Sequence, residues 1–242
     1  MGCMSFALEE TGAYGQAERW GRAGLERAGD DAWGLHSVVH VYDMTRQART
    51  GVEWLSTQTG RWTHCNNFGF HIWWHLGLFH LDRGEFDRVL ELYDTKVRAE
   101  HTVDYRDIAN GAGMLVRLEI EGVDVGDRWE ELAALAASRV EDGAVVFADL
   151  HYLLALHGGE RDAEAERLIA RLSRDARGYG QGTDHDMHEV AAVAGLPEAR
   201  GLAAFRAGDY DSAYEQLRRA WPSLQRIGGS HAQRDVFGRL PI

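Results

Sequence analysis

A glycine-led turn returns along this chain at an interval near 36 residues, and that interval limits the possible folds more than any other feature. The turn occurs as Gly12-Ala-Tyr14, Gly84-Glu-Phe86, Gly122-Val-Asp124, Gly158-Gly-Glu160 and Gly208-Asp-Tyr210. Gly84 to Gly122 is 38 residues and Gly122 to Gly158 is 36, while Gly12 to Gly84 is 72, twice 36, with a turn that lacks glycine near Gln47 between them. A period of about 34 to 40 residues marks helix-turn-helix solenoids, in which each hairpin leaves an apolar face that only the next hairpin covers.

Between the turns, Ala, Leu, Glu and Arg dominate and apolar residues recur three and four apart, the spacing of a half-buried helix rather than of a strand. Only Pro197, Pro222 and Pro241 interrupt the chain with a helix breaker. The expected fold class is all-α: a tetratricopeptide-like helical-repeat solenoid of about six helix-turn-helix pairs, a right-handed superhelix forming one domain over 1–242. First (A) helices of the pairs are expected at 4–11, 32–46, 67–82, 103–121, 145–157, 187–207 and 230–239, and second (B) helices at 15–28, 48–57, 86–99, 127–140, 160–175 and 210–226. Gly158 to Gly208 is 50 residues, so a Gly-rich loop insertion is expected near 177–186, where Gly178, Gly180 and Gly182 cluster.

Charge removes some partners. The chain carries 38 Asp plus Glu against 26 Lys plus Arg, a formal charge of −12, with no basic cluster longer than a pair. Nucleic acid and anionic membrane are therefore not expected as partners. Cys3 and Cys65 are too few for a disulfide framework. The N-terminus has no basic and apolar leader, and the longest apolar run, Phe68 to Leu81, is interrupted by His71, His75 and His80. A cytoplasmic location is the expectation.

The polar residues of chemical interest fall on the A helices. His36 and His40 are four apart, as are Asn67, His71 and His75, so each set forms a stripe on one helix face, and adjacent A helices set the two stripes side by side. Later A helices add Asp104, Asp149 with His151, Asp184 with His185, and the run His231-Ala-Gln-Arg234-Asp235. A single histidine on an aromatic helix is often a core imidazole bonded to a carbonyl. Rows of them cost more, because each buried polar group needs a partner.

Two chemistries fit such rows. Histidines four apart can share a cation, with a carboxylate from a neighbouring helix completing the site. Zinc-hydrolase helices place Glu directly after the first His, however, and Ser37 and Ile72 stand there. The expectation is therefore a site without a cofactor, with a metal held by His71 and His75 as the alternative. In the cofactor-free version His71, His75, His151, His231, Asp149 and Asp235 carry proton transfer, and His36, His40, Asn67, Trp74, Asp104 and Arg234 bind the ligand.

Phe6-Ala-Leu-Glu-Glu10, the string Asn67 to His75 with Leu78-Phe-His80-Leu, Asp124-Val-Gly-Asp-Arg-Trp129, Phe147-Ala-Asp149-Leu-His151 and Gly228-Gly-Ser-His-Ala-Gln-Arg-Asp235 together resemble the tetratricopeptide repeat protein 38 family. The resemblance covers nearly the whole chain and corresponds to the C-terminal half of family members, which are about twice as long. It implies an all-helical, cytosolic repeat protein, and a second subunit, as in a homodimer, where missing N-terminal repeats would otherwise wall a pocket.

Two functions stand open from the residues. One is a concave His/Asn/Asp pocket that binds a small polar molecule and performs acid/base chemistry of a lyase, cyclisation or hydrolytic kind. The other is an interaction scaffold that docks a peptide or partner protein. Basic clamps for a peptide are few, with Arg117 and Arg234 the best candidates.

Overall fold

The structure, a computed structural model, describes residues 1–178 and 186–239. The centre of the expected Gly-rich loop, with Asp184 and His185, lies outside the described residues. Within them the regular structure is helical, without a strand. The chain groups into two compact units, Met1–Glu100 and His101–Ile242.

The first unit holds α1 (Gly2–Glu10), α2 (Tyr14–Arg27), α3 (Ala32–Met44), α4 (Ala48–Thr57), α5 (Asn67–Asp82) and α6 (Phe86–Leu92). The second holds α7 (Tyr105–Ile120), α8 (Arg128–Ala137), α9 (Val146–Gly158), α10 (Asp162–Gly178), α11 (Asp186–Val190), α12 (Leu196–Arg206), α13 (Tyr210–Ala220) and α14 (His231–Arg239). Expected and observed helices coincide closely, and the departures have local causes. A π-helical turn, Tyr93–Val97, finishes the helix expected over 86–99, and another, Ala191–Gly195, joins α11 to α12. Pro222 ends α13, so the chain continues as a 3-10 turn over Trp221–Ile227.

Six turns between helices share one closure. The backbone is left-handed at Gly12 (φ 81°), Arg46 (57°), Gly84 (70°), Gly122 (78°), Glu160 (55°) and Gly208 (75°). In each turn the following amide donates to the carbonyl five residues back: Ala13 to Leu8, Gln47 to Tyr42, Glu85 to His80, Val123 to Leu118, Arg161 to Leu156 and Asp209 to Ala204. This is the Schellman ending, which satisfies carbonyls that the helix leaves open. Measured between the left-handed residues, the steps are 34, 38, 38, 38 and 48 residues. The interval is thus more regular than glycine positions suggest, because in the fifth turn Glu160 rather than Gly158 takes the left-handed place.

A side chain in that backbone region carries a steric cost that glycine escapes. Glu160→Gly is therefore expected to stabilise the protein by about 0.5–1 kcal/mol after the added entropy of glycine in the unfolded chain is subtracted. A urea midpoint that stays put or falls would contradict this reading of the turn.

In the first unit, α1 packs on α2 and α3, and α2 on α3. Ser5 Oγ donates to the Ala17 carbonyl at 2.6 Å and lies 2.6 Å from Ser37 Oγ, which fixes α1 against both neighbours. Gly21 lets α2 approach α3 closely: a β-carbon there would stand 2.6 Å from Val38 Cγ2 and 2.7 Å from the Gly34 carbonyl. Leu35, Val38, Val39, Leu55, Trp62, Ile72, Leu76 and Phe79 form the core between α3, α4 and α5. Since α3 is buried from Gly34 to Tyr42, its histidines are interior whichever way they point.

In the second unit α7 packs on α8 and α9, α9 on α8 and α10, α12 on α13, and α14 on α7. No helix among the described residues is long and apolar enough to cross a membrane.

Candidate metal centre

The two histidine stripes meet. α3 supplies His36 and His40 and α5 supplies His71 and His75, each pair one helical turn apart. His36 Nε2 lies 3.1 Å from His40 Nε2, 2.9 Å from His71 Nε2 and 3.2 Å from His75 Nε2. All four residues present a ring nitrogen within 4.8 Å of the others, a group able to hold a metal ion. Nitrogens about 2.0–2.1 Å from one tetrahedral zinc ion would be roughly 3.3 Å apart, close to the three separations around His36.

Burial and packing hold the rings in place. His36 is 3% exposed and His40 and His75 are fully buried, whereas His71 is only partly buried and forms the outer edge of the cluster. Phe6 stacks on His36 with centroids 5.4 Å apart, Trp74 stacks on His71 at 5.3 Å, and Trp33 and Phe68 pack edgewise on His36. Burial first, then the neighbouring His40, His71 and His75, holds His36 well below its ordinary pKa, so it is a neutral imidazole at neutral pH.

Two carboxylates stand behind this cluster. Glu9 Oε2 of α1 is 3.5 Å from His40 Nδ1, and Asp43 Oδ2 of α3 is 3.6 Å from His75 Nδ1. A carboxylate facing Nδ1 favours the tautomer with its proton there, which turns a lone pair at Nε2 toward the centre of the cluster. His40 and His75 would then turn Nε2 lone pairs toward the Nε2 of His36, an arrangement that suits a shared cation.

Of the remaining candidates in this unit, Asn67 begins α5 one turn before His71, and Trp74 is buried against the His71 ring. The others belong to the second unit. Asp104 caps α7, accepting the Arg106 amide at 2.9 Å, and pairs with the Arg106 guanidinium, whose hydrogen bonds lower its pKa. Asp149 is buried and ion-paired with Arg171 at 2.5 Å; burial raises its pKa while Arg171 opposes the rise. His151, two residues on and thus on another side of α9, bonds through Nδ1 to the Phe147 carbonyl at 2.8 Å and packs against Phe237. Burial lowers its pKa to about 4, so it too is neutral at pH 7.

His231 opens α14 and is partly buried. Arg234 donates to the Gly228 and Gly229 carbonyls. Asp235 accepts from Arg239 and lies 3.7 Å from Arg117, whose guanidinium is buried and donates to the Gly113 and Ala232 carbonyls, each at 2.7 Å. The sequence suggests proton transfer or ligand binding for these residues; arginines and main-chain carbonyls are among the partners of Asp104, Asp149, His151, Arg234 and Asp235. The two orienting carboxylates, by contrast, were not singled out as site residues. Asp43, three residues after His40, carried a local signal, whereas Glu9 reaches the cluster only through the packing of α1 on α3.

Compared with known proteins, the chain matches no protein-family model and no solved structure. What supports a function is therefore the chemistry of the cluster itself.

Proposed function

We propose that this protein binds a divalent transition-metal ion through His36, His40, His71 and His75. The observation that carries this reading is the convergence of three Nε2 atoms, at 2.9, 3.1 and 3.2 Å, on the Nε2 of His36. Imidazole donors suit zinc, copper, nickel and ferrous iron rather than magnesium or calcium, which prefer oxygen. Four imidazoles would close a tetrahedral ion; because His71 forms the outer edge, its exchange for an oxygen or nitrogen donor of a small polar molecule would open a position there, where a metal would lower the pKa of bound water or polarise a carbonyl. The expected small-molecule chemistry is thereby reassigned to an ion. The six like turns and the packing of α1 to α3 and of α7 to α9 also support a tetratricopeptide-like solenoid, and with it the docking of a partner protein as a second reading.

The test is titration of the metal-stripped protein with zinc and cobalt(II), followed by calorimetry and by the visible absorption of cobalt. One ion per chain is expected. At a free ion concentration 100 times Kd, binding adds about 2.7 kcal/mol and raises Tm by roughly 5–10 °C. Failure to bind either ion, or binding that survives removal of the four imidazoles, would sink the reading.

A further inference from the structure

We propose that a cavity in the second unit binds the ammonium group of a short primary alkylamine, held by Asp149 and Asp175. This site goes beyond the metal reading and is independent of it. The cavity has a volume of about 220 Å³ and lies between α9, α10 and α11, with Asp149, Arg171 and Asp175 in its wall beside Val146 and Met187. At about 30 Å³ for each water-sized group, it holds a molecule of roughly seven heavy atoms at most.

The charge in that wall does not balance. Arg171 is the one arginine or lysine lining the cavity among the described residues, and two carboxylates share it. Its Nη2 lies 2.5 Å from Asp149 Oδ1, its Nη1 donates to Asp175 Oδ2 at 2.6 Å, and its Nε donates to the Val140 carbonyl at 2.9 Å. All three nitrogens are committed, and one negative charge is left over. Glu141 and Asp142, which also line the cavity, pair with Arg174 and Arg139 at 2.8 and 3.3 Å in exposed ion pairs that water screens. Asp149 and Arg171 have little of that screening, since their side chains are 2% and 6% exposed. Burial raises the pKa of Asp149, and the charges of Asp175 and Asp142 raise it further against the opposing pull of Arg171. A surplus charge in a buried wall is settled either by a proton or by a cation entering the cavity. An ammonium group brings three N–H donors to the carboxylate lone pairs that Arg171 does not take, while Val146 and Met187 offer apolar surface to a few methylenes. Inorganic cations lack that apolar body, and anions meet the surplus charge as repulsion.

Calorimetric titration of the full chain with n-butylamine, an ammonium ion at pH 7, tests the site, with n-butanol and butyrate as the neutral and anionic probes of the same length. Butylamine is expected to bind once per chain with a Kd of about 0.1–1 mM, and butanol and butyrate at least about tenfold more weakly. Asp149→Asn keeps an oxygen that accepts from Arg171 and removes the surplus charge. It is expected to weaken butylamine binding about 10–100-fold while the Tm of the ligand-free protein stays level or rises, a pairing that structural damage does not produce. Should Asp149→Asn lower that Tm instead, Asp175→Asn, at a position 33% exposed, decides by the same comparison. Equal affinity for butylamine and butanol, butylamine binding that both variants leave unchanged, or no binding of butylamine at about 10 mM overturns the proposal. Zinc titration of the same preparation reads the histidine site separately, so that either site can fail while the other stands.

Discussion

His36→Ala is expected to weaken zinc binding by more than about 100-fold, well beyond the effect of any other single histidine substitution in the cluster. His36 is the shared member: its Nε2 makes all three of the short separations, and the ring is buried beneath Phe6. Alanine there removes the shared donor and the ring on which Phe6, Trp33 and Phe68 pack, leaving a cavity in a buried site. His71 differs, because it stands at the outer edge and water can take its coordination position. His71→Ala should therefore cost about 10-fold and leave a cobalt spectrum shifted toward higher coordination. Isothermal titration of the two variants side by side measures the order. If His71→Ala proves as damaging as His36→Ala, the ion is not centred as the distances place it.

Glu198→Gln should stabilise the second unit, and increasingly so as pH rises. Glu198 of α12 is 2% exposed, and burial pushes its carboxyl up from the ordinary 4.5 to about 8. At pH 7 the folded protein therefore carries this group protonated while the unfolded chain carries it ionised. A raised folded pKa gives stability that is complete below the unfolded value and lost as pH climbs toward the folded one. Between pH 4 and pH 7 the loss amounts to about 3 kcal/mol. Glutamine has the same shape without the titration, so the advantage of the variant over the parent should grow by about that amount across the interval. Urea unfolding of both proteins at pH 5, 6, 7 and 8 gives the curve directly. A difference that is flat with pH would show that Glu198 is ionised in the folded state.

The helices were legible because their ends carry local chemistry. Gly12, Gly84, Gly122 and Gly208 each occupy the left-handed place that ends a helix, so spacing them spaced the hairpins. The two turns in which Arg46 and Glu160 hold that place carry no such residue signal; their geometry is imposed by the packing of the helices on either side. The histidine stripes were legible for the same local reason, since residues four apart share a helix face and neighbouring helices set their faces together. What the sequence left open was the direction of the stripes. Only the packing of α3, buried from Gly34 to Tyr42, brings His36 and His40 against the histidines of α5. Asp149 and His151 show the opposite case: near in sequence, they lie on different sides of α9, and each finds its partner elsewhere.

The route of the chain through the cluster has a consequence for folding. α3 and α5 meet through side chains, His36 and His40 against His71 and His75 and Trp33 against Phe68. A bound ion would join residues 31 to 39 positions apart, His40 to His71 at the near end and His36 to His75 at the far end. In polymer terms this is a cross-link closing a loop of the length many disulfides close, but an ion that leaves on unfolding stabilises by binding the folded chain rather than by constraining the unfolded one. Unlike a disulfide it needs no oxidant and leaves Cys3 and Cys65 as thiols. Its strength would follow the free ion concentration, making the rigidity of this hairpin pair an adjustable quantity rather than a fixed one.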